Sequence, residues 1–244
     1  MTEDWKRIQR WAGAADDGVP GPATARAIIA KAGLVTEPAP FDRAAFLARH
    51  VNLNAAPIRP ADIRAAADKL GVSEKHIEAI RKIESRGQSF GSEGRPIILF
   101  EPHVFHKRTK GRHSPAPFSY ARWKERPYPA TQAARWGQMA DAAARDEAAA
   151  IESASWGLFQ IMGFNWPVMN YASASASAFA EAMVRSEGDQ LDAVVRFIMG
   201  EGLAPALRRC VAGKPDSCRD FARGYNGARY AENGYHTKLA EALK

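Results

Sequence analysis

The sequence predicts a mostly α-helical protein, α+β only through one small β-hairpin, with a small helical module at the N-terminus, a partly helical connector and a larger helical domain. Three observations carry this. Helix signals recur along most of the chain, as in Pro60 followed by A-D-I-R-A-A-A-D-K-L and a stop at Gly71. One short run, R-P-I-I-L-F-E, is apolar and branched and bounded by Pro96 and Pro102, the pattern of a hairpin strand. A length of 244 residues suits a small module plus a medium domain, each able to bury a core.

Along the chain, residues 1–36 form the first module: Gly18, Pro20, Gly21 and Pro22 make a rigid turn, and Thr24 opens a short helix carrying Ile28 and Ile29. Residues 37–59 are a connector rich in Pro and Ala, with a helix over Asp42 to His50; Phe41, Phe46 and Leu47 require a surface to pack on. The domain spans residues 60–244. After the Pro60 helix, Ser73 caps a second one, Val72 and Ile77 staple its start, and Gly87 supplies a left-handed stop, giving a helix from Glu74 to Arg86. The strand comes next, then a basic, aromatic, proline-rich stretch from His106 to Pro129 with no periodicity, long enough to read as a functional rim. Beyond it the chain reads as helical, broken at Gly163, at Gly188 after a helix from about Ala178, at Gly200 and Gly202, and at a loop between Cys210 and Cys218.

Composition narrows the function classes. A hydrophobic fraction of 46% and a charged fraction of 25% are ordinary for a soluble globular protein. No apolar run approaches the roughly 20 residues of a membrane span. The start M-T-E-D-W-K-R lacks a secretory pattern, which predicts synthesis in a cytoplasm. A net charge of +7 favours anionic partners, among them the cell envelope and peptidoglycan with its free carboxylates. The basic residues match no nucleic-acid-binding motif, so nucleic acid is not expected. His103 and His106 form H-x-x-H on the expected strand, pointing to opposite faces, with His113 nearby and no acidic or thiolate partner at metal spacing; neither metal nor cofactor is expected. Lys214-Pro215-Asp216 is turn-like, so the two cysteine sulfurs can meet across it, as thiols or as a disulfide.

Glu84 is the most informative residue. It ends the second helix inside K-I-E-S-R-G and stands i, i+3, i+7 with Ile77 and Ile80, on the stripe that faces a core or cleft. Desolvation and the negative end of the helix dipole both disfavour its anion. A carboxylic acid kept protonated near neutral pH is what general-acid cleavage of a glycosidic bond requires. The plainer reading turns it outward or pairs it with Arg81 or Arg86.

Three further strings agree with the first. S-A-S-W-G-L-F-Q-I-M-G spans Ser153 to Gly163, R-G-Y-N-G spans Arg223 to Gly227, and I-L-F-E-P-H-V-F spans Ile98 to Phe105. Together these resemble the lysozyme-like superfamily, and more closely the phage endolysins of the N-acetylmuramidase family, over about Ala61 to Lys244. D-G-V-P-G-P-A-T, within Trp5 to Leu34, resembles the loop of small peptidoglycan-binding modules found on such enzymes; Asp17, Gly18, Gly21 and Thr24 are its matching positions.

The resemblance implies a lysozyme-like α+β fold and hydrolysis of the β-1,4 bond between N-acetylmuramic acid and N-acetylglucosamine. Glu84 takes the place of the catalytic acid. Glu93 is the expected second catalytic group, at a hairpin start facing the helix end, with Glu101 as runner-up. Ser155, Gln160, Tyr225 and Asn226 are the expected glycan contacts, although a Gln in a core can equally serve the fold. Trp156, Leu158 and Ile161 read as core; Trp123, Trp136 and Trp166 read either as sugar platforms or as core. The implied partners are glycan strands, the anionic envelope and a holin-type release partner, with the protein monomeric and acting in the periplasm. The alternatives are a lytic transglycosylase on the same bond, cleavage on the glucosamine side or of chitin, and a non-catalytic wall-binding protein.

Overall fold

A computed structural model describes residues 2–33, 40–84, 88–171 and 174–244. The chain divides into two compact units, Met1–Phe41 and Asp42–Lys244.

The first unit is a helical hairpin of α1 (Thr2–Ala12) and α2 (Pro22–Lys31). The second helix starts at Pro22 rather than Thr24, because proline at the first helical position loses nothing by lacking an N–H. The turn is organised by a buried Gln9, whose Nε2 donates to Asp17 Oδ1 at 2.7 Å, Val19 O at 3.0 Å and Thr24 Oγ1 at 2.9 Å. Its Oε1 accepts from Gly18 N at 2.8 Å. Gly18 has φ +74°, and a Cβ there would stand 2.6 Å from Thr2 Cγ2, so both conformation and space demand glycine. The Val19 N–H, then the Gln9 amide, hold the Asp17 carboxyl below its usual range. Thr24 Oγ1 and one oxygen of Asp17 are therefore engaged inside the unit.

The second unit begins with α3 (Arg43–Ala48), capped by Asp42, and α4 (Pro60–Leu70), closed by Gly71 in the left-handed conformation. Next comes α5 (Glu74–Glu84), whose Ile77, Ala79 and Ile80 are buried. Ser73 Oγ meets the His76 ring at 2.9 Å. The expected stop, Gly87, lies outside the described residues. Strand β1 is Ile98–Phe100, and α6 is Pro102–Arg108. His103 and His106 are thus on a helix, not a strand: Pro102 occupies the first helical turn and starts it. His106 Nδ1 pairs with Ser114 Oγ at 2.7 Å.

After the rim loop come α7 (Gln132–Ala143) and α8 (Glu147–Glu152), then β2 (Ala154–Trp156) and β3 (Ile161–Met162). The sheet is antiparallel with order β1-β2-β3, so the hairpin is formed by β2 and β3, and β1 joins it from far away in sequence, Ile98 opposite Trp156. A 3-10 helix, Gly163–Met169, leads to α9 (Ala176–Arg185) and α10 (Glu187–Gly200). The helix break falls at Ser186, which caps α10, and Gly188 sits inside the first turn. The chain ends with α11 (Ala204–Arg208), a 3-10 turn at Pro215–Cys218, α12 (Arg219–Asn226) and α13 (Tyr235–Ala242). Among the described residues no helix is long and apolar enough to cross a membrane.

The core centres on Trp156, packed edge-on against Trp136 at 5.4 Å and Phe179 at 6.0 Å between ring centroids. Trp156, Leu158 and Ile161 are all buried, as their pattern predicts. His50 completes the cluster, and burial pushes its pKa down to about 4, so it stays neutral. Each such fully buried apolar side chain contributes about 2 kcal/mol. Buried Gln190 joins the hairpin turn to the helices: its Oε1 accepts from Leu158 N at 2.7 Å and its Nε2 donates to Met183 O at 2.8 Å. Against this frame α5 packs on α4 and α13, fixing the place of its last residue, Glu84.

Candidate active site

Glu84 ends α5 in the wall of a cleft of about 530 Å³. The opposite linings come from β1 and its exit (Leu99, Glu101), the hairpin (Ser155, Phe159, Gln160), Glu201 after α10, and the end of α12 (Tyr225, Asn226, Gly227). The cleft therefore gathers the acid expected from K-I-E-S-R-G with the polar residues expected from the other three strings. Another hollow, about 350 Å³ between α4 and α10, has its charges tied up locally, Arg59 with Asp62 and Lys69 with Asp192.

The Glu84 carboxyl is pushed up to about 7, first by burial, with the Tyr235 hydroxyl and Lys238 of α13 drawing it part of the way back. Among the described residues its Oε1 is shielded from solvent without a hydrogen-bond partner, and the Tyr235 hydroxyl beside the carboxyl has no partner elsewhere. A carboxylate there would be a desolvated charge with few donors, so the neutral acid is favoured.

The glycan-contact candidates divide by what their polar atoms do. Ser155 Oγ donates to Gln160 Oε1 at 2.8 Å, and Gln160 Nε2 donates to Gly157 O at 2.8 Å. Gln160 lines the cleft with φ +48°, and its amide shapes the hairpin turn on which that wall rests. Tyr225 stacks on Phe221 and Tyr235 and donates to Phe159 O at 3.2 Å, forming a floor beside the acid. Asn226 is exposed at the end of α12, open to a ligand.

Glu93 does not join this group. It lies in a different depression, exposed and ion-paired with Arg95. The reason is non-local: Arg95 Nε donates to Leu47 O at 3.1 Å and Asn52 N to Gly94 O at 2.8 Å, which pins the turn carrying Glu93 against residues 47–52. Glu101, the runner-up, does line the cleft. Its Oε2 accepts from Tyr128 Oη at 2.6 Å and stands 3.2 Å from His103 Nδ1. Tyr235 and Lys238, which tune Glu84, carry no motif that could announce them.

Trp136 is core, its indole donating to Pro96 O at 3.0 Å, and Trp166 donates to Glu152 at 2.8 Å; Trp123 is exposed. Among the described residues no cluster of His, Cys, Asp and Glu is arranged to hold a metal ion. Cys210 and Cys218 are free, buried neighbours, and the hydrogen bond they share, together with burial, pushes the Cys210 thiol up.

The comparisons fit this geometry. The solved structure described as the crystal structure of Burkholderia AP3 phage endolysin matches with a TM-score of 0.65 and 30% identity, over 99% of this chain and 84% of that one. No curated protein sequence matches at comparable significance. The family model named Muramidase, described as N-acetylmuramidase, matches residues 73–244, which takes in Glu84 and every lining of the cleft. The chain belongs to the N-acetylmuramidase family and is a peptidoglycan hydrolase, a glycosidase acting on the bacterial cell wall.

Proposed function

We propose that the protein cleaves the β-1,4 bond between N-acetylmuramic acid and N-acetylglucosamine by hydrolysis, with Glu84 as general acid. One observation carries the reading: a carboxyl at a helix end, in a cleft wide enough for a sugar, with its pKa pushed up to about 7. Glu84 delivers its proton to the bridging oxygen as the bond lengthens, and the muramic ring develops oxocarbenium character. Of the two other carboxylates lining the cleft, Glu101 and Glu201, Glu101 is oriented by Tyr128 and His103 and is the one suited to face that cation or to draw a proton from the attacking water. Tyr225 and Asn226 support the sugars from below.

In the same reading the N-terminal unit directs the enzyme to the wall, and the protein, made in the host cytoplasm, acts in the periplasm once the membrane is opened by a holin-type partner. The test is the product spectrum from purified sacculi by mass spectrometry. Reducing muramic-acid ends, lost in Glu84→Gln with the fold intact, support the proposal; reducing glucosamine ends or unchanged lysis by the variant refute it. A second reading is favoured by the engagement of Glu101 with Tyr128 and His103, which leaves Glu84 to act without a second carboxylate. A single catalytic acid suits a lytic transglycosylase, in which the muramic acid's own C6 hydroxyl attacks; anhydro ends would select it.

A further inference from the structure

Beside the cleft, positive charge collects that has no ion-pair partner among the described residues. The rim loop after α6 leaves Trp123 47% exposed, and two cations stand over its ring: Lys124 Nζ at 4.2 Å and Arg229 Cζ at 4.8 Å from the centroid. Arg229 comes from the other wall, two residues after Gly227 of the cleft lining. From the near wall, Trp123 reaches the Tyr128 hydroxyl, and Tyr128 donates to Glu101 of the cleft at 2.6 Å. The Trp123 cluster thus abuts the cleft on both sides, at its Glu101 and Gly227 edges. Lys124, Arg126 and Arg229 make no ion pair among the described residues. The one acid within this stretch, Glu125, accepts from the Arg122 backbone N–H at 3.4 Å.

Cations held on an aromatic face, paired with no carboxylate among the described residues, form a receptor for an anion that brings apolar surface with it. Along a glycan strand the anions are carried by the peptide stems on the lactyl groups of muramic acid, which end in carboxylates. We propose that Trp123, Lys124 and Arg229 form a subsite for the carboxylate-bearing peptide stem of the muramic acid bound at this end of the cleft, making the enzyme select stem-bearing wall. The subsite rests on the muramidase reading of Glu84. Trp123 packs on the stem's methyl and methylene groups while Lys124 and Arg229 pair with its carboxylates.

The test uses the full-length protein and three sets of defined glycan oligomers: with free-acid stems, with the same stems amidated at their carboxylates, and without stems. For the wild type, kcat/KM is expected to be roughly five- to tenfold higher on acid stems than on amidated ones, the sum of two solvent-exposed ion pairs. In Lys124→Gln/Arg229→Gln that ratio is expected to fall towards one, and Trp123→Ala is expected to lose more on stem-bearing oligomers than on stem-free ones. A wild type indifferent to amidation, a ratio unchanged in the double variant, or an equal loss on all three sets in Trp123→Ala would each overturn the subsite while leaving the muramidase reading standing. Failure of the wild type to cut any of the oligomers would overturn that reading and the subsite with it.

Discussion

Replacing Glu84 by Gln separates the acid's contribution to activity from its contribution to stability, and the two move in opposite directions. The carboxyl is held at about 7 in the folded protein against the ordinary 4.5 of a glutamate. Between these values the folded state binds a proton that the unfolded state has released, so the stability owed to this group is fully present below about pH 4.5 and is lost as pH rises through 7. At about 1.4 kcal/mol per pH unit the whole gap amounts to about 3 kcal/mol. Gln has the shape of the neutral acid and cannot ionise. Glu84→Gln is therefore expected to match the wild type near pH 4 and to exceed it by about 3 kcal/mol at pH 8, a rise of about 6–12 °C in Tm for a domain of this size. Calorimetry or thermal unfolding monitored by circular dichroism across pH 4 to 8 measures it. Lysis of purified sacculi, in contrast, should fall by about 10²–10⁴, the usual worth of a general acid. A stability difference that does not change with pH would refute the raised pKa, and with it the physical basis for Glu84 as acid.

The remaining predictions test its surroundings. Wild-type kcat/KM should decline as pH rises through about 7, and Tyr235→Phe should move that decline to higher pH, because the Tyr235 hydroxyl now lowers the acid's pKa; a pH profile of the two proteins decides. Glu101→Gln should cost activity by about tenfold or more while Glu93→Gln, altering an exposed pair with Arg95 outside the cleft, changes lysis by less than about twofold; equal effects would sink the choice between them. Gly163→Ala should lower stability by about 3 kcal/mol or more, since the new Cβ would stand 2.1 Å from the Ile151 carbonyl oxygen; urea unfolding measures it. Cys210 and Cys218 should react with a thiol reagent quickly only after unfolding, because both are buried in the native fold; rapid labelling of the native protein would contradict that burial.

How far the sequence discloses this site depends on whether each feature is local. Ile77 and Ile80 lie on the side of α5 that packs inward, and the same spacing puts Glu84 on the cleft, because a helix fixes the facing of residues seven apart without help from the rest of the chain. Gly71 and Pro60 mark their helix for equally local reasons. The sheet is legible only at β1. Strands of three and two residues are too short for alternation to show, and β2 is recognised only once β1 has reached it across the chain. Pro102 illustrates the same limit: after a strand a proline can close a hairpin or open a helix, and the residues downstream, V-F-H-K-R with their helical packing, decide between the two. The choice of second carboxylate is the sharpest case. Glu93 and Glu101 both flank β1, and spacing alone favours neither. What separates them is Arg95 on Leu47 O and Asn52 on Gly94 O, which turn one acid away, and Tyr128 and His103, which hold the other at the cleft. These are contacts between segments far apart in the chain, and the tuning of Glu84 by Tyr235 and Lys238, contributed by the last helix, is of the same kind. The acid's position is written within one helix, whereas its pKa and its partner are set by the packing of the whole domain.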